Sequence, residues 1–148
     1  MAAAVAVALI SGGQAKSALP TRSELSLLRA MNEARSAHGL VPLQLDSRLQ
    51  RSARGHSRAM LRTQTFSHGA YTARIRGVGI RAPRVGENIA WGSGSYSRAR
   101  AIVRVWLASP PHRANLLRRG YWSVGIGAVR GRFEGHTALM VTTDFAGR

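Results

Sequence analysis

Apolar positions recur at helical intervals over three stretches of the chain and then alternate with period two over two more. Leu27, Leu28, Met31 and Ala34 recur at helical intervals. Thr21 followed by Glu24 has the spacing of a capping box, and Gly39 after His38 is a stop signal. The pattern predicts a first helix over about 22–38. "LVPLQLD" then reads as a short extended connector, because Pro42 keeps Val41 out of the helical region. Asp46 can cap a second helix that carries Leu49, Ala53, His56 and Met60 on one face, with Leu61 beside them. Placed on that stripe, His56 reads as a structural core-side histidine.

The stretch "TFSHGAYTARIRGVGIRAPRVGENIAWGSG" is rich in glycine and turn residues. It predicts mostly loop, with a short extended piece near Glu87 to Trp91. After Tyr96, a stripe of Ala99, Ile102, Val103 and Trp106 predicts a third helix that ends before Pro110. Two final runs alternate with period two: Val124, Ile126 and Ala128, then Leu139, Val141, Thr143 and Phe145. Gly131 and Gly135 bracket their connection. Three helices followed by an antiparallel hairpin is an α+β pattern, with helices packed on a small sheet. Trp91, Trp106 and Trp122 are read as core, and Asp144, alternating on the last strand, as pointing outward.

The length of 148 residues allows one domain with a sizeable core. "MAAAVAVALI" followed by "SGGQAKSALP" looks like the apolar region and cleavage zone of a secretory signal peptide, although no Lys or Arg precedes the run. Residues 1–20 are accordingly read as a signal peptide or disordered leader, and 21–148 as the domain. No run reaches the ~18–20 apolar residues of a membrane span. The chain has no cysteine, which excludes thiol chemistry and disulfide support. Its formal charge is +16, from 22 basic and 6 acidic residues. The basic residues are spread along the chain and no nucleic-acid motif accompanies them. Solvated arginine is the simple reading; an anionic envelope polymer is the partner such a surface would attract.

The short acidic list narrows the candidate chemistry. Glu24, Glu33 and Asp46 read as cap or helix-surface residues, and Glu134 as a turn residue. Glu87, in "RVGENIAWG", sits among glycines and apolar residues, where a carboxylate needs donors. His68, in "TFSHG", lies on a loop, and His112 follows Pro111 at the start of a helical turn. Two loop histidines and one buried carboxylate suit either of two roles: a His₂/Glu site for zinc or another divalent cation, or a hydrogen-bonded base and orienter pair. Spacings of 19 and 25 residues carry no local ligand signature. Ser67 and Ser109 stand near the histidines, but no G-x-S-x-G elbow exists, so no catalytic residue is assigned. Asn88 and Asn115 read as backbone fasteners.

Taken in order, "LLRAMNEARSAHGLVPLQLD", "HSRAM", "FSHG", "VGENIAWG", "VWLASPPHRANLL", "YWSVGIGAV" and "MVTTDFAG" resemble the CAP superfamily of cysteine-rich secretory and pathogenesis-related proteins, in its bacterial, SCP-like branch. The likeness runs from about Ser26 to Gly147. It implies an α–β–α sandwich, with a small antiparallel sheet between helices, and an open surface cavity. The family's two cavity histidines fall on His68 and His112, and its first glutamate on Glu87. Its second glutamate falls on Ser109, which carries no charge. The resemblance further implies a secreted protein that binds zinc or another divalent cation through His68 and His112, or a small polar or lipid ligand; a monomer is expected. A metal- or histidine-dependent hydrolase, or a non-catalytic envelope interaction module, are the alternatives, because fold does not settle function.

Overall fold

The structure is a computed structural model and describes residues 18–148; the leader expected at 1–20 lies, up to residue 17, outside the described residues. Five helices and four strands follow in the order α1 (Arg22–Ala37), β1 (Gln44–Leu45), α2 (Ser47–Thr63), α3 (Tyr71–Gly77), β2 (Arg84–Ser93), a 3₁₀ turn (Gly94–Ser97), α4 (Ala99–Ala108), α5 (Pro110–Leu116), β3 (Tyr121–Phe133) and β4 (His136–Gly147). The capping box at α1 forms as expected: Glu24 N–H donates to Thr21 Oγ1 at 3.2 Å, and Thr21 N–H donates to Glu24 Oε2 at 2.7 Å. Asp46 caps α2 by accepting from the amides of Arg48 and Leu49.

The sheet order is β1-β3-β4-β2. β2, β3 and β4 are antiparallel neighbours, while β1 pairs in parallel with β3. The connector "LVPLQLD" therefore supplies a two-residue strand, and the sheet is mixed rather than purely antiparallel. Both faces are covered. Leu139, Val141 and Phe145 of β4 pack with Leu27 and Met31 of α1 and with Ile102 and Trp106 of α4. The alternate residues Ala138 and Met140 pack with Met60 of α2, and Ala146 packs with Leu49 of α2 and Ile75 of α3. This is an α+β fold with helices on both sides of the sheet.

Three expectations are corrected. Asp144 is fully buried, because the even positions of β4 face α2 rather than solvent. The glycine-rich stretch after α2 contains helix α3 and a ten-residue strand, not mostly loop. Trp122 is 42% exposed, with the Arg148 guanidinium 5.6 Å from its ring centroid, so it is not core.

α2 lies unusually close to β3 because the facing strand positions are glycines. A Cβ at Gly125 would stand 2.0 Å from the Leu49 carbonyl carbon, and one at Gly127 would stand 2.4 Å from that of Ala53. The close seat places short polar side chains of α2 onto the sheet. Ser57 Oγ donates to the Gly127 carbonyl at 2.8 Å, and Ser52 Oγ donates to Asp144 Oδ2 at 2.5 Å.

Two arginines also belong to the interior. Arg35 is fully buried and donates to the carbonyls of Val41, Leu116, Arg118 and Tyr121. Arg54 pairs with the buried carboxylate of Glu24 at 2.6 Å and donates to the carbonyls of Ala18 and Leu19. Glu24 is thus a capping residue that is also a buried ion-pair partner, not a surface acid.

Candidate functional site

The site is built on the edge strand β2. Gly86 lets β2 pass beside α5 and β3, since a Cβ there would stand 2.5 Å from Tyr121 Oη and 3.0 Å from Asn115 Oδ1. The next two residues then face opposite ways. Asn88 Nδ2 donates to the His112 carbonyl at 2.9 Å, and Asn115 Nδ2 donates to the Glu87 carbonyl at 2.9 Å and to Asn88 Oδ1 at 3.1 Å. These bonds lock α5 onto β2, in the fastening role expected of both asparagines. Glu87 faces α2 and α3 instead.

Glu87 lies directly opposite Asp144 in the β2–β4 register. Both side chains are buried, and like charges facing each other across a sheet repel. A cation between them resolves the conflict. Arg74, from α3, bonds Glu87 Oε2 and reaches Asp144 Oδ1 at 3.3 Å. Ser52 holds the other Asp144 oxygen. Burial pushes the Glu87 carboxyl up to about 7, against the pull of Arg74. Burial also pushes the Asp144 carboxyl up to about 7, opposed by Ser52 and Arg74 and reinforced by Glu87.

The remaining Glu87 oxygen faces the histidines. His68 Nδ1 lies 2.6 Å from Glu87 Oε1, an arrangement in which the ring N–H donates and Nε2 keeps its lone pair. The His68 side chain is 48% exposed over a fully buried carboxylate, so the ring presents itself to solvent from a fixed base. The His112 ring centroid is 6.3 Å from that of His68, and His112 Nδ1 lies 2.8 Å from Ser109 Oγ. Pro110 and Pro111 occupy the first positions of α5 and bring His112 round its opening turn. His68, Glu87, Ser109 and His112, singled out in the sequence, therefore gather at one place.

His56 joins them. Its Nε2 donates to the Ser67 carbonyl at 2.8 Å and lies 3.9 Å from Glu87 Oε2. It ties α2 to the loop that carries His68, which is a structural role, as expected, but one inside the site. Burial lowers the pKa of His56, His68 and His112. Arg74 adds to the effect at His56 and His68, and His68 adds to it at His112. These shifts favour the neutral form of all three rings.

Arg74, Asp144 and Ser52 are the members that sequence reasoning missed. One signal was available: beside the alternating residues of the last run stand Ala138, Met140 and Ala146, which are apolar too, as in a strand covered on both sides. Elsewhere, a hollow of about 230 Å³ lined by Trp91, Tyr96, Ile102 and Val105 offers one phenol and no charge, so the titratable chemistry is centred on His68.

The metal expectation can be set against these donors. Among the described residues, no group of three or more His, Asp or Glu side chains is placed to hold an ion. Both Glu87 oxygens are engaged, by His68 and by Arg74. Neither His68 nor His112 uses Nε2 in a hydrogen bond among the described residues. The donor set fits a pair of neutral imidazoles, one backed by a carboxylate, rather than a His₂/Glu ligand set.

Residues 28–145 match the family described as CAP, the cysteine-rich secretory protein family. The chain belongs to this family. It falls in the bacterial branch, although it contains no cysteine. It is 32% identical over 111 residues to the uncharacterized protein YkwD of Bacillus subtilis (strain 168), which covers 72% of this chain and 42% of YkwD. An extracellular protein containing an SCP domain from Bacillus anthracis str. Ames superposes with a TM-score of 0.70 at 28% identity, covering 84% of this chain and 40% of that one. An outer surface protein of Borrelia burgdorferi has the same fold, with a TM-score of 0.70 at 21% identity over 85% of this chain and 92% of its own. The chain thus spans about two fifths of YkwD and of the Bacillus anthracis protein.

Proposed function

We propose that this CAP domain acts outside the cell as a binding module, with His68 and His112 taking a divalent cation such as zinc, or a small polar ligand, through their free Nε2 atoms. The observation that carries the reading is the pair of imidazole rings with centroids 6.3 Å apart, each with Nδ1 already engaged. Glu87 is the orienter: its carboxylate fixes the His68 tautomer and strengthens the Nε2 lone pair. A bound zinc would supply Lewis acidity, with solvent or ligand oxygens completing its shell. Ser109, standing where the family's second glutamate is expected, orients His112 without adding charge. Extracellular action is supported by the Bacillus anthracis and Borrelia burgdorferi proteins of the same fold, described as an extracellular and an outer surface protein. No helix among the described residues is long and apolar enough to cross a membrane.

Calorimetric titration of zinc into the metal-free chain tests the reading. The wild type should bind one equivalent, and the His68→Ala, His112→Ala double variant should bind at least about tenfold more weakly, a loss of about 1.4 kcal/mol. Unchanged binding by the double variant rejects these ligands. A second reading rests on one contact, Ser109 Oγ at 2.8 Å from His112 Nδ1, which resembles a nucleophile–base pair. Ester or peptidoglycan hydrolysis abolished by both Ser109→Ala and Glu87→Gln would favour it.

A further inference from the structure

We propose that this protein carries a second, separate site that binds a phosphate group, in the hollow ringed by Arg22, Arg98 and Arg130. The hollow has a volume of about 310 Å³ and is also lined by Ser23, Ser26, Leu27, Ser97, Ala99 and Leu139. That volume is at the lower end of the ~300–1,000 Å³ usual for small-ligand sites. It shares no residue with the histidine site.

The fold builds it from three separate segments. Arg22 and Ser23 open α1, Arg98 and Ala99 open α4, and Arg130 comes from β3 opposite Leu139 of β4. Leu27 and Leu139 form an apolar floor that belongs to the main core, so the depression is backed by packed structure. The rim is cationic without compensation. Among the described residues, Arg48, Arg54, Arg74 and Arg100 have carboxylate partners, whereas Arg22, Arg98 and Arg130 have none. No carboxylate lines the hollow. Glu24, close by in sequence, is buried and committed to Arg54.

Three arginines line one hollow with no carboxylate among its lining residues, and an anion there would offset their like charge. Each guanidinium presents a planar fork of donors. A carboxylate has two oxygens and cannot engage three forks in full. A phosphate monoester has three terminal oxygens, one for each guanidinium, and about −1.5 to −2 charges near pH 7, which offset about half or more of the local positive charge. Ser23 and Ser26 also line the hollow, and their hydroxyls can add neutral donors. The group could be carried by a small phosphate ester or by a lipid headgroup; the recognition chemistry is the same.

The test is a titration of inorganic phosphate into the ¹⁵N-labelled full chain, in chloride buffer, followed by amide shifts. Saturable shifts should concentrate at Ser23, Ser97 and Ala99. The triple variant Arg22→Gln, Arg98→Gln, Arg130→Gln should bind phosphate about tenfold or more weakly. A control triple, Arg51→Gln, Arg58→Gln, Arg62→Gln, removes the same charge from the exposed side of α2 and should change affinity less than about twofold. The His68→Ala, His112→Ala variant should bind phosphate normally, which separates this site from the histidine site. Equal losses in the two arginine triples, or shifts spread evenly over the surface, would overturn the proposal. Glycerol 3-phosphate competition and co-sedimentation with phosphatidic acid vesicles, against phosphatidylcholine vesicles, identify the carrier. Either mode should vanish in the Arg22/Arg98/Arg130 triple, and vesicle binding retained by that variant would count against the site.

Discussion

Replacing Arg74 with methionine tests the electrostatic logic of the histidine site. The substitution keeps most of the apolar stem and removes the only cation that reaches both Glu87 and Asp144 among the described residues. Both carboxylates are buried, and the Arg74 side chain is 21% exposed, so solvent replaces little of what is lost. Removing one partner of a buried ion pair costs about 3–5 kcal/mol. Here the loss is tempered, because either carboxyl can take a proton. Both already sit near 7 with Arg74 present, and without it both move higher. The sign follows. Above about pH 7 the variant must either bury unpaired charge or take up protons from dilute solution, and its deficit is largest. Below pH 7 the carboxyls are neutral in both proteins and the deficit shrinks to lost hydrogen bonds. Urea unfolding at pH 8 should show a loss of about 3 kcal/mol, and at pH 5 a loss of about 1 kcal/mol. In a Glu87→Gln background the same substitution should cost less, since one of the two charges is gone. A deficit equal at both pH values, or unchanged by Glu87→Gln, would refute the account.

Three other outcomes follow from the same structure. Gly127→Ala would place a methyl against the α2 backbone and should destabilise by about 1–3 kcal/mol or more, read as a lower urea midpoint. Arg35→Met leaves four carbonyls without their donor and should lower the melting temperature by roughly 10 °C, for a loss of about 3 kcal/mol. Zinc affinity, followed by calorimetric titration, should weaken as the pH falls through about 7, where Glu87 takes up a proton and no longer backs His68, and weaken further at lower pH as protons compete for the rings of His68 and His112.

Three of the five helices, α1, α2 and α4, were legible because each carries its own local signal. Thr21 and Glu24 announce α1, Asp46 announces α2, and the proline pair separates α4 from α5. His68, Glu87, Ser109 and His112 were found partly through chemistry and partly through resemblance. α3 was missed because it has no side-chain cap and buries only Ile75. β2 was missed in part because its glycines answer to distant neighbours, Tyr121 and Asn115 at Gly86, that local patterning cannot reveal. Asp144 was misjudged because strict alternation was taken to mean one wet face, whereas α2 covers that face through Gly125 and Gly127. Arg74 lies 70 residues from Asp144 in sequence, and only the fold shows that two opposed acids need it.

Arg35 sets an order on how the chain can mature. Three of its four acceptors, at Leu116, Arg118 and Tyr121, lie 81 to 86 residues downstream. While the ribosome is still making the middle of the protein, that guanidinium has no dry place to go, and α1 cannot dock as it does in the finished molecule. The opening helix gains these bonds only once residues 116–121 are made, so N-terminal fragments ending before residue 116 should stay loosely organised and be degraded readily by proteases.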